Sequence, residues 1–217
     1  MIIKREKFTS DLIIVAPDSQ IENINSAIEV ACDIFEEKWS KFNPFSDLFS
    51  KAPELPPTMW DEVKKLLDKF NKGKEVKDYT CFAKGFVLDK ALMAMVMANF
   101  SSPSNYMVNF GGDLVAKGLE HVSIQGTTEK YYFSPSDDFK AVFTSGNTEK
   151  RGNHILKLDG EPAMNGRLTL IAEAKTLEGE LMNLDALTTF RFAEMIDSQE
   201  LNRICARRGI NIKEVWT

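Results

Sequence analysis

The chain has 217 residues, of which 43% are hydrophobic and 27% charged, with 12 Gly and 8 Pro. That balance belongs to a folded globular protein and excludes a disordered or collagen-like chain. The 27 Lys+Arg against 32 Asp+Glu leave a net charge of −5, so no global attraction draws the chain to nucleic acid or anionic membranes.

Residues 11–16, DLIIVA, predict a strand ended by Pro17-Asp18. A helix over about 22–39 follows, because Ile24, Ala27, Ile28, Ala31, Ile34, Phe35 and Trp39 recur at helical spacing. Residues 40–57 are turn-rich. Thr58 followed by Asp61 resembles a capping box opening a helix with Val63, Leu66, Leu67 and Phe70 on one face. Residues 71–78 form a polar link. Residues 84–100 are apolar almost all round and predict a buried helix too short to span a bilayer.

YMVNF at 106–110 predicts a strand running into Gly111-Gly112-Asp113. HVSIQ (121–125), KYYFS (130–134), AVFTS (141–145), HILKL (154–158) and RLTLIAEA (167–174) predict further strands. Helices over about 180–196 and 198–208 close the chain, with Gly209 stopping the second. This order predicts one α+β domain over 1–217, with a largely antiparallel mixed sheet and flanking helices.

Cysteines 32, 81 and 205 are few, odd in number and far apart, which argues against disulfides or a thiolate zinc site. With only His121 and His154, any metal needs mainly oxygen ligands. No apolar run reaches the roughly 20 residues of a membrane span, and nothing resembles a secretory signal. The chain as written is therefore read as soluble, and as cytoplasmic unless an export signal has been trimmed.

Four stretches could carry chemistry. Lys84-Gly85 opens a helix, where N–H groups attract anions; the alternative is a solvated lysine beside a turn. Gly111-Gly112-Asp113 permits a phosphate nest or a plain β-turn. In FTSGNTEKRGNHIL, Ser145-Gly146-Asn147 reads as a turn, and His154 is either a proton carrier or structural. Asp185 and Thr189 share a helix face, suiting either a hard cation such as Mg²⁺ or a helix cap.

The order and spacing of DYTCFAKGFVLDKA, YMVNFGGDLVAKG, FTSGNTEK with NHIL, and LDALTT resemble the ApbE family, the FAD:protein FMN transferases. The segment WSKFNPFSDLFSKA is similar to that family's S-x-Y-x-x-x-S-x-L stretch, with Phe42 in the tyrosine's place. The resemblance covers about residues 10–195. It implies a T-fold-like α+β domain that uses Mg²⁺ and takes FAD as substrate. The implied reaction, flavinylation, cleaves the pyrophosphate and moves FMN onto a threonine of a target flavoprotein.

The resemblance implies Cys81 (by its carbonyl), Asp185 and Thr189 as metal ligands. Lys84, Gly85, Gly111, Gly112, Asp113, Ser145, Gly146 and His154 would hold FAD, and His154 or Asp185 would accept the proton. The sequence also departs from the family pattern. The family's T-x-G-x-F-D segment is missing, so the domain is shortened between about 55 and 78. Its first-strand Met-Gly-Thr is replaced by Thr9-Ser10-Asp11, and the Asp-Pro after the histidine by Lys157-Leu158. A transferase with a reduced pocket is the first expectation; a non-catalytic flavin-, nucleotide- or partner-binding relative is the alternative.

Overall fold

A computed structural model describes residues 2–7, 10–51, 53–97, 106–124, 128, 130–133, 138–147, 155–163 and 166–217. The chain opens with β1 (Ile2–Lys7), β2 (Ser10–Val15) and α1 (Asp18–Lys38). A single turn, α2 (Asp47–Ser50), and α3 (Asp61–Phe70) follow. A 3₁₀ turn (Thr80–Phe82) runs into α4 (Ala83–Met97).

Strands β3 (Tyr106–Phe110), β4 (Asp113–Lys117), β5 (His121–Ser123), β6 (Lys130–Tyr132), β7 (Phe139–Gly146) and β8 (Arg167–Ala174) come next. Helices α5 (Leu181–Phe192) and α6 (Ser198–Ala206) precede β9 (Asn211–Trp216).

Among the described residues the strands form one seven-stranded sheet, β1-β2-β3-β4-β7-β8-β9, and a separate β5–β6 hairpin. Among the described residues every neighbouring pair is antiparallel. The period of two along its central strands divides the core. Val115, Ala141, Phe143, Leu170 and Ala172 face the helices. Leu114, Ala116, Val142 and Ile171 face the other way, onto Ile124 and Phe133 beside the hairpin. Both faces of these strands are therefore covered.

Helix α4 touches α1, α5, β3 and β4, which explains its unbroken apolar character. It buries Phe86, Val87, Leu88, Ala91, Leu92 and Met95, and with them one carboxylate, Asp89. No helix among the described residues is long and apolar enough to cross a membrane.

Several expectations are corrected. Strand β1 precedes the expected first strand, and β4 and β9 were not anticipated. Of the expected strand 154–158, the described residues 155–158 add no strand to the sheet: Leu156 makes an isolated bridge with Pro162, and His154 lies outside the described residues. Thr58 does not cap α3. Its N-cap is Trp60, whose backbone N–H donates to Asn183 Oδ1 at 2.8 Å. Ser145 and Gly146 do not form a turn but end β7.

Candidate active site

The α4–α5 contact organises the site. At the start of α4, the Gly85 N–H donates to Asp185 Oδ2 of α5 at 2.8 Å. Gly85 is buried, and a Cβ there would lie 2.5 Å from the Leu181 carbonyl oxygen and 2.6 Å from Asp185 Cβ. The absent side chain thus admits α5, not a ligand, and the anion at this helix N-terminus is the protein's own carboxylate.

One residue before Gly85, the Lys84 ammonium pairs with Asp113 Oδ2 at 2.6 Å. Asp113 opens β4, is buried, and accepts the Thr144 N–H on Oδ1 at 2.7 Å. Lys84 Nζ also lies 3.5 Å from the Gly111 carbonyl. On β7, Ser145 Oγ shares a 3.0 Å hydrogen bond with Thr189 Oγ1, one turn beyond Asp185 on α5.

The electrostatics are unbalanced. Burial, and then the neighbouring Asp113 charge, push the Asp185 carboxyl well above the usual carboxylate range, with Lys84 opposing. Burial raises Asp113 as well, again against the pull of Lys84. Two buried carboxylates thus share one lysine. Burial also pushes the Cys81 thiol up, helped by the Asp78 and Asp185 charges. The thiol stays protonated near neutral pH, which removes it as a nucleophile and leaves its carbonyl as the donor of interest.

Lys84, Gly85, Gly111, Asp113, Asp185, Ser145 and Thr189 are therefore joined by direct contacts, and Cys81 lies within electrostatic reach of Asp185. The double glycine is a two-residue hairpin turn between β3 and β4, with φ of 60° at Gly111 and 94° at Gly112. Its amides do not form an open nest. Gly111 N–H donates to the Asp11 carbonyl at 2.7 Å, and Gly112 N–H to Asn109 Oδ1 at 3.0 Å. A Cβ on Gly146 would meet the Gly166 carbonyl oxygen at 2.7 Å, so this glycine serves strand packing against β8.

Asn147, expected from the sequence to be part of a turn, has a tertiary role. Its buried amide donates to the carbonyls of Ile155 and Ala163, both at 3.3 Å, and accepts the Ile155 N–H at 3.1 Å. It ties the 155–163 segment to the end of β7. Asp89, a charged exception in the apolar 84–100 stretch, is another such residue. A lone carboxylate inside a helix apolar all round was the available signal, since such a group needs buried donors.

Among the described residues no three His, Cys, Asp or Glu side chains cluster as a metal centre. The implied metal set is of another kind, with one carboxylate, one hydroxyl and one carbonyl.

No family model matches the sequence, and no curated protein matches it. Solved structures do. The apo crystal structure of the Pseudomonas stutzeri flavinyl transferase ApbE aligns with a TM-score of 0.60 at 14% identity, over 100% of this chain and 94% of that one. The ApbE protein of Thermotoga maritima aligns with a TM-score of 0.62 at 16% identity, over the same shares. The chain has the ApbE flavinyl transferase fold, mixed α+β with a mostly antiparallel sheet and flanking helices.

Proposed function

We propose that this protein is a Mg²⁺-dependent FAD:protein FMN transferase, which cleaves the FAD pyrophosphate and attaches FMN to a threonine of a target flavoprotein. The observation that carries the reading is the cluster of Asp113, Asp185, Lys84 and Thr189 where α4, α5 and the β3–β4 turn meet. The fold likeness supports it.

The residues fit a hard divalent cation. Asp185 and Thr189 present oxygens one helical turn apart, and burial, then the Asp113 charge, raises the Asp185 carboxyl, so a bound cation would favour its ionised form. With the Cys81 carbonyl they would hold Mg²⁺. When bound, that ion supplies Lewis-acid stabilisation of the charge that builds on pyrophosphate oxygens.

The chain's own groups do the rest. The Lys84 side chain is 30% exposed while its partner Asp113 is 1% exposed, so the ammonium reaches solvent with its counter-charge buried beneath it. It binds and orients a phosphate oxygen and offsets transition-state charge. The acceptor threonine oxygen attacks the phosphorus of the FMN half, and the bond to the AMP phosphate breaks. The hydroxyl proton passes to His154 or Asp185, and AMP leaves with the bonding electrons.

The test is incubation with FAD, Mg²⁺ and a peptide carrying an S-G-A-T acceptor, followed by mass spectrometry. The reading predicts a peptide heavier by one FMN phosphoryl adduct, at the threonine. Mg²⁺-dependent stabilisation by FAD with no adduct on peptide or candidate flavoproteins would instead favour the non-catalytic flavin-binding reading.

A further inference from the structure

The two helices that carry the site cap each other. Helix α5 has no cap of its own: its N-cap residue, Glu180, makes no capping bond, and its carboxylate accepts Trp60 Nε1–H at 2.6 Å. The N–H groups of Leu181 and Met182 instead donate to Asp89 of α4, at 3.0 Å to Oδ1 and 2.9 Å to Oδ2. In return Asp185 of α5 accepts the Gly85 N–H at the head of α4. Gly85 and Asp89 are one turn apart on α4, as are Leu181 and Asp185 on α5. The contact is thus a two-rung ladder between antiparallel helices.

The ladder sets distance and register together. The closeness of Gly85 to the Leu181 backbone sets the separation. A slide of one residue, about 1.5 Å along the axis, would break both rungs. Asp185 is the fifth residue of α5, so it follows directly on the turn whose N–H groups the cap holds, and fraying of that turn shifts it.

We propose that Asp89 is a positioning residue for the Asp185–Thr189 oxygen pair: by capping α5 from the neighbouring helix it fixes where those oxygens stand, so divalent-cation affinity depends on a carboxylate that does not touch the cation. This inference rests on the metal-site reading given above. A cation site tolerates only a few tenths of an ångström of error in its ligand oxygens, so a frayed first turn weakens binding before it unfolds the protein.

The probe is Mn²⁺ alone, titrated into the purified full chain by electron paramagnetic resonance, without FAD. Wild type, Asp89→Asn, Asp89→Ala, Asp185→Ala and Ile28→Ala are compared at a temperature where circular dichroism shows each folded. Ile28 is a fully buried residue of α1 outside the site, so Ile28→Ala controls for general loss of stability. The expected result is a rise in the Mn²⁺ dissociation constant of tenfold or more for Asp89→Ala. Asp89→Asn, which keeps one acceptor oxygen, gives a smaller rise, and Ile28→Ala stays within twofold of wild type.

Where Asp89→Ala does not fold, the Asp89→Asn variant carries the comparison. Wild-type affinity in a folded Asp89 variant, with binding lost in Asp185→Ala, would overturn the role of Asp89 and leave the metal site standing. An equal weakening in Ile28→Ala would also overturn it, reducing Asp89 to general stability. No Mn²⁺ binding by wild type would overturn the metal site and this inference with it.

Discussion

Replacing Gly85 by alanine tests the helix contact on which the site is built. The new Cβ would lie 2.5 Å from the Leu181 carbonyl oxygen, 2.6 Å from Asp185 Cβ and 2.7 Å from Met182 Cα. Ordinary contact needs roughly 3.4–4 Å, so α5 must retreat by about 1 Å, and two of the three atoms are backbone, which no rotamer change relieves. Alanine's higher helix propensity returns only about 1 kcal/mol. Overpacking costs about 1–3 kcal/mol. The retreat also stretches the 2.8 Å bond from Gly85 N–H to Asp185, a charge-assisted bond of about 1.5–3 kcal/mol. The net expectation is a loss of about 2–4 kcal/mol, read as a lower urea midpoint at unchanged slope. A Gly85→Ala variant as stable as wild type, or more so, would mean that the helices are not in contact as described.

Burial pushes Asp89 from its ordinary 3.8 up to about 7. A carboxyl raised in the folded state contributes stability that is fully present below the unfolded value and lost as pH rises through the folded one. Metal-free protein should therefore lose up to about 4 kcal/mol between pH 4 and 7 from this group. Asp89→Asn should flatten that slope in urea titrations run across this range. Lys84→Ala leaves Asp113 buried without its ion pair and should destabilise at pH 8 more than at pH 5, by about 1–3 kcal/mol. Adding Asp113→Asn should recover much of that loss, giving a coupling energy well above zero in a double-mutant cycle. Cys81→Ala removes a protonated thiol and no charge, so it should cost about 1 kcal/mol or less and leave FAD turnover unchanged. A large drop in turnover with the fold intact would point to thiol chemistry.

The core was more legible than the edges. Alternating or continuous apolar runs mark β3, β7 and β8, because a buried strand face must be apolar in one of those two ways. Strands β1 (IIKREK) and β9 (NIKEVW) sit at the two edges, where charged side chains are tolerated and the pattern fades. Strand β4 was hidden by the glycines before it, which read as the end of a strand although they turn the chain into the next one.

At the site, residue types were readable and hydrogen-bond partners were not. The Asp185–Thr189 spacing and the Lys84-Gly85 pair mark α5 and the head of α4, two helices that pack against each other. That Gly85 faces a carboxylate, and that the Gly111 and Gly112 amides are taken by Asp11 and Asn109, are matters of tertiary contact. They follow from the pairing of β2 with β3 and the packing of α4 on α5, which no local pattern encodes.

Metal-dependent transfer of FMN at the Asp185 site is tested by the paired yield of AMP and FMN-modified acceptor peptide from FAD. Wild type and Asp185→Ala are compared, each with Mg²⁺ and with EDTA. Equimolar AMP and modified peptide are expected from wild type with Mg²⁺, and neither product in the other three reactions. Equal yields from Asp185→Ala, or from wild type in EDTA, would contradict metal-dependent transfer at this site.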